Sequence, residues 1–149
     1  MPANPSIPEA LDRYLLTSSE GKTTSIATYV ERGSPLITAE AIRALHSMLP
    51  ALRSKIALIK DSDRLKERIE ILLAYLKENP VPHSAPDAAR RDIAFALFYF
   101  LKGYDRIPDS IPEIGLLDDA IIVNTVLQWH HTALRTHWLR RGRTWPADV

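Results

Sequence analysis

Four aspartates close together in the chain are the residues best suited to bind a ligand: Asp105, Asp109, Asp118 and Asp119. Carboxylate oxygens are the ligands that a hard cation such as Mg²⁺ prefers, and a chain that folds back on itself would bring the four together. A metal-bound water would then be the nucleophile of a hydrolase. Aspartates at helix ends also accept hydrogen bonds from free backbone N–H groups, and we favour this structural role. The sequence therefore identifies candidate ligand-binding residues, but it predicts no catalytic residue and no metal ligand.

The segment that carries these aspartates is punctuated by proline. Ile107-Pro108 and Ile111-Pro112 are two Ile-Pro pairs four residues apart, and each proline disfavours the helical conformation of the isoleucine before it. Gly115 provides a turn, and Asp118 is placed to cap the helix that follows. The segment is therefore predicted to be a stiff, extended connector between the two most apolar helices.

This segment resembles the YkvA-like family, a domain of unknown function numbered 1232. The residues that match the family pattern are Asp105, Ile107-Pro108-Asp109, Ile111-Pro112, Gly115 and Leu117-Asp118-Asp119. The resemblance covers about residues 93–130. The chain departs from the pattern at Gly103-Tyr104 and at Arg106, which adds a charge to a turn that is usually apolar. The resemblance implies a helical hairpin without an established activity, in a family often predicted to associate with membranes.

Three histidines in the last predicted helix suggest a metal site, but their spacing argues against one. His130 and His137 are seven residues apart, which is about 10 Å along a helix and too far for two ligands of one ion. His130 and His137 share a stripe with Asp119 and Val126 beside the apolar face of the helix. We therefore expect the stripe to pack against a neighbouring helix rather than to hold a metal.

The C-terminus combines cationic and indole side chains in a short stretch. The candidate residues for binding an anionic surface are Arg140, Arg141, Arg143 and Trp145. Such a mixture is typical of lipid-surface or single-strand contacts. Arginines in a last helical turn also interact favourably with the negative end of the helix dipole, so both interpretations stay open.

The overall composition excludes several classes of protein. The 19 basic and 18 acidic residues nearly cancel, so we expect no nucleic-acid partner. The chain has no cysteine, which excludes disulfides and thiolate chemistry. No signal or transit peptide is recognisable, and the longest apolar run, Ile93 to Leu101, is well short of the about 20 residues that span a bilayer. We expect a cytoplasmic protein, with a membrane-peripheral location as the alternative.

Helical periodicity interrupted by 11 prolines predicts an all-α protein. The expected fold is a single-domain bundle of about five to six helices, with the proline-rich connector before a long last helix. One short helix begins at Ser6, and the others cover about 24–32, 38–59 with a kink at Pro50, 61–77, 86–102 and 118–141. Thr38 and either Asp61 or Ser62 are expected to cap the helices that follow them, and Gly142 is expected to end the last helix. The inward stripe of that last helix is expected to be Ala120, Val123, Leu127, Leu134 and Trp138. Residues 1–37 are expected to be accessory helices, and residues 38–149 the helical core.

These features favour a soluble, non-catalytic module that binds another protein and needs no cofactor. The amphipathic helices before residue 80 are the expected contact surface. One alternative is a metal-dependent hydrolase that uses the aspartate cluster. Another is a peripheral protein that binds anionic membranes through its basic, tryptophan-bearing C-terminus.

Overall fold

Seven α-helices and one 3-10 helix account for most of the described chain. The computed structural model describes residues 26–60, 63–79, 87–102, 117–147 and 149. The α-helices are α1 (Ile26–Gly33), α2 (Ala39–Ser47), α3 (Leu49–Ala57), α4 (Asp63–Glu78), α5 (Ala88–Lys102), α6 (Leu117–Trp129) and α7 (His131–Arg140), and the 3-10 helix is Ser34–Leu36. The described residues contain no strand, which confirms the predicted all-α class.

Helix α5 lies at the centre of the molecule. All eight residues from Ile93 to Phe100 are buried, as expected of a helix that is apolar on every side. It packs against α1, α2, α3, α4 and α6. The ring of Tyr29 on α1 meets Phe95 and Tyr99 edge-on, with ring centroids 5.5 and 5.8 Å apart. One continuous apolar core therefore surrounds α5.

The predicted last helix is interrupted at His130. That residue has φ −118° and ψ 25°, so α6 and α7 are separate helices although backbone hydrogen bonds continue across the turn. The predicted inward stripe is otherwise correct, because Val123, Leu127 and Leu134 are buried. The predicted stop is also confirmed, since Gly142 follows α7 with a φ of 80°.

The helix predicted over 38–59 is also two helices. Helix α2 ends at Ser47, and α3 begins at Leu49 with Pro50 in its first turn. A proline has no N–H to donate and clashes with the carbonyl four residues earlier, so a helix break replaces the expected kink. The predicted cap of α2 is confirmed, because Oγ1 of Thr38 accepts a hydrogen bond from the Ala41 N–H at 3.0 Å.

Other predictions concern residues outside the description. These are the helix from Ser6, the extended connector and the caps at Asp61 or Ser62. The division between 1–37 and 38–149 stays a prediction, although Tyr29 and Val30 belong to the same buried cluster as α5. Within the described part of the chain, no helix combines the length and the apolar character needed to cross a bilayer.

Candidate functional site

The aspartate cluster is described only in part. Asp105 and Asp109 lie outside the described residues, whereas the backbone of Asp118 and Asp119 forms the first turn of α6. Their role as ligands therefore stays a prediction. Among the residues whose positions are described, no group of three or more His, Asp or Glu side chains could hold a metal ion.

A carboxylate and a histidine link α5 to the turn between α6 and α7. Nε2 of His130 lies 2.7 Å from Oδ2 of Asp92. Both side chains are largely buried, with 18% and 14% of their surfaces exposed. A carboxylate this far out of water needs a partner, and His130 provides it. The expectation that the histidine stripe packs against a neighbouring helix is thus confirmed here, but the sequence did not identify Asp92.

A surface groove of about 280 Å³ opens beside this pair. Its lining residues are Glu31, Ser34, Pro35, Arg91, Asp92 and Trp129. Trp129 is 40% exposed and forms an aromatic wall. The hydroxyl of Ser34 is buried and has no hydrogen-bond partner among the described residues. The groove is thus lined by the indole of Trp129, the ring of Pro35 and charged side chains of both signs.

The outward side of α6 continues the apolar surface from this groove. Ile121, Thr125 and Trp129 follow one another at four-residue steps, so they lie along one side of the helix. We call them the α6 stripe. Ile121 is 39% exposed. The Thr125 hydroxyl donates to the carbonyl of Ile121 at 2.8 Å, so it is already satisfied within the helix. The α6 stripe thus exposes two large apolar side chains to water.

A second polar group, centred on Glu78, joins α4 to α7 and to the segment that follows α7. Oε1 of Glu78 lies 2.8 Å from Nε2 of His137 and accepts a hydrogen bond from Nη2 of Arg143 at 2.6 Å. Nε of Arg141 is 3.8 Å from the same oxygen. The hydrogen bond from Arg143 is the largest of the effects that lower the pKa of Glu78, and His137 and Arg141 add to it, while partial burial opposes them. Glu78 is therefore held in its charged form.

Asn79 joins α4 to both α7 and α5. Its side-chain N–H donates to the Tyr75 carbonyl at 2.8 Å, and the same nitrogen lies 3.4 Å from Nδ1 of His137. The carbonyl of Asn79 also accepts from Arg90 Nε at 3.0 Å. The ends of α4, α5 and α7 thus meet at one polar junction.

The four C-terminal residues that we expect to bind an anionic surface differ from one another in their surroundings. Arg143 stacks on Trp138, with its guanidinium carbon 4.3 Å from the ring centroid, and Trp145 meets His131 edge-on at 5.3 Å. Arg140 and Arg141 are exposed. The four residues therefore do not share one free face, because Arg143 is engaged by Glu78. Their binding of an anionic surface stays a prediction.

Comparison with known proteins identifies one segment. The family model described as "Protein of unknown function (DUF1232)" matches residues 92–124, which span α5, the connector and the first part of α6. No curated protein and no solved structure matches the chain significantly. The predicted resemblance is confirmed, because the segment that contains Asp92 and the aspartate motif matches the DUF1232 family model.

Proposed function

We propose that this protein is a non-catalytic binding module whose contact surface for a protein partner is the α6 stripe together with the adjoining groove. The observation that carries the proposal is the exposure of Ile121 and Trp129, at 39% and 40%, along one side of a helix in the hairpin region. The two side chains lie about two helical turns apart on one side of α6, and apolar side chains exposed on a shared face are typical of a binding surface.

The composition of this surface supports a protein ligand. Tryptophan is among the residues that contribute most to protein–protein affinity, since it buries a large area and loses few rotamers. Glu31 at the groove provides a charged group beside Trp129, as is usual at the rim of an interface. A partner would therefore bury the indole inside a polar rim.

The position of this surface differs from the one expected from sequence. Among the described residues before residue 80, the only large apolar side chain that is exposed is Leu58, at the end of α3. The amphipathic helices there bury their apolar faces in the core, for example Ile42, Leu52 and Leu72. The expected contact before residue 80 is therefore replaced in our proposal by α6.

Two serine substitutions test the proposal. Trp129→Ser and Ile121→Ser remove the apolar contacts, and Leu139→Ser is the matched control because Leu139 is 41% exposed on α7. Affinity purification from the native cell extract, quantified by mass spectrometry, should recover a partner with the wild type and the control. Recovery should fall about tenfold or more with Trp129→Ser, as expected when a central interface residue is lost. Equal recovery by all three variants would show that the α6 stripe is not the contact surface.

A further inference from the structure

The carboxylate of Glu78 lies against a strongly basic part of the chain. Residues 120–147 contain four arginines and no aspartate or glutamate. Two of these arginines, Arg141 and Arg143, converge with His137 on the same oxygen of Glu78. The donors come from α7 and from the segment after it, whereas the acceptor comes from α4. The carboxylate of Glu78, from α4, therefore occupies a site whose donors all come from α7 and the segment after it.

Glu78 fits this site imperfectly. Its bond with Nη2 of Arg143 is short at 2.6 Å, but the second bond, from Nη1 to Oε2, is long at 3.4 Å. Nε of Arg143 is buried and has no acceptor among the described residues. A carboxylate that is not tethered to α4 would be free to form two short bonds with Arg143.

The location of Glu78 also disfavours its charge. It is the last residue of α4, where the free carbonyl groups carry partial negative charge and where a carboxylate is less favourable than a cation. The cationic side chains therefore hold an acid in a position that the helix itself opposes.

The site is accessible and its donors are held in place without Glu78. The side chain of Arg141 is 53% exposed and that of Glu78 is 21% exposed, so a ligand can approach from solvent. Arg143 stacks on Trp138, and the indole N–H of Trp138 donates to the Thr144 carbonyl at 2.9 Å. These contacts orient the guanidinium independently of the carboxylate.

We propose that Arg143, Arg141 and His137 form a carboxylate-binding site in which Glu78 is an intramolecular stand-in for an acidic side chain of another polypeptide. The proposal does not depend on the α6 stripe, because the two surfaces share no residue. Binding of the external carboxylate displaces the Glu78 side chain and leaves Arg143 stacked on Trp138.

Glu78→Ala tests the proposal because it empties the site. Acetate is the probe, added at pH 7 and compared with chloride at equal ionic strength. Thermal unfolding of Glu78→Ala should show a Tm that acetate raises by about 2–4 °C once its concentration is well above Kd. The matched control is Glu70→Ala, which removes the carboxylate beside Arg53, and its Tm should respond equally to both salts. An equal response of the two variants to acetate would overturn the proposal.

Further variants separate the site from a general effect on folding. Adding Arg143→Gln to Glu78→Ala should abolish the acetate-specific rise in Tm. Glu78→Gln retains the size of the side chain, so it replaces Glu78→Ala in the test if the alanine variant does not fold. Binding of acetate is then followed through the amide NMR signals of His137 and Arg143. Signals that stay unchanged with acetate would contradict the proposal.

A capped tetraglutamate peptide distinguishes the source of the carboxylate. It should bind Glu78→Gln at least tenfold more tightly than acetate if the site recognises an acidic polypeptide. If the peptide binds no more tightly than acetate, counted per carboxylate, the natural ligand is not an acidic polypeptide and this part of the proposal is wrong.

Discussion

Asp92 and His130 are 38 residues apart in sequence, yet their side chains form a 2.7 Å hydrogen bond. Asp92 is the first residue of the DUF1232 segment, and His130 lies just beyond its end at residue 124. The helices of this segment, α5 and α6, pack directly against each other. The bond therefore joins the first half of α5 to the residue that follows α6.

Replacing His130 should destabilise the fold. In His130→Ala the carboxylate of Asp92 remains largely buried without its partner, which should lower the free energy of unfolding by about 1–3 kcal/mol. Urea denaturation measures this change. Gln128→Ala is the control, because Gln128 is an exposed neighbour near the end of α6. Equal stability of the two variants would mean that the bond contributes nothing.

A second prediction concerns the core around α5. Phe95→Ala removes a fully buried ring that meets Tyr29, so it should cost about 3–5 kcal/mol. Leu58→Ala should change the stability by less than about 0.5 kcal/mol, because Leu58 is 72% exposed. Both values come from chemical denaturation, and a loss below about 1 kcal/mol for Phe95→Ala would contradict the described packing.

The helical class and the buried faces were predictable because they depend on local patterns. Ile93 to Phe100 contains no polar side chain other than the Tyr99 hydroxyl, and a helix of this kind must be surrounded by other elements. Leu65, Ile69, Leu72 and Leu76 recur at three- and four-residue steps, and all are buried in α4 as expected. Such periodicity depends only on residues within one helix.

The polar contacts were not predictable because they join distant parts of the chain. Glu78 is 59 residues from His137 and 65 from Arg143, and no local spacing indicates such a pairing. The break at His130 escaped prediction for a related reason. The sequence there contains no proline or glycine, so no local signal marks the break.

Thr38 provides a test of helix capping. Its hydroxyl accepts from the Ala41 N–H at 3.0 Å, so Thr38→Ala leaves that N–H without its cap and should cost about 1 kcal/mol. Thr38→Ser keeps the hydroxyl and should retain most of the stability. Thermal unfolding compares the three proteins, and an alanine variant as stable as the serine variant would rule out the cap as a stabilising contact.

Glycine is favoured at position 142 because of the backbone conformation there, and not because a larger side chain would lack room. Its φ is 80°, and an added Cβ would meet no atom within 4 Å. Gly142→Ala should therefore cost about 1–2 kcal/mol through backbone strain alone. Gly142→Asn should cost less, because asparagine tolerates the left-handed region better than alanine. In thermal unfolding the Tm should fall in the order wild type, Gly142→Asn, Gly142→Ala. A lower Tm for Gly142→Asn than for Gly142→Ala would exclude backbone strain as the cause.

The stability contributed by Glu78 should depend on pH in a defined direction. Its pKa in the folded protein is lowered from the ordinary value of 4.5, chiefly by the hydrogen bond from Arg143. A lowered pKa means that the folded state favours the charged form, so the contribution is complete above pH 4.5 and is lost as the pH falls through the folded pKa. Glu78→Gln should accordingly be less stable than the wild type by about 1 kcal/mol at pH 7, and this difference should narrow on acidification below about pH 4.5. Urea denaturation at a series of pH values measures it. Adding Arg143→Gln to Glu78→Gln should cause little further pH-dependent loss of stability, since both residues act through one contact. If the stability difference between the wild type and Glu78→Gln stays constant down to pH 3, the charge of Glu78 does not stabilise the junction.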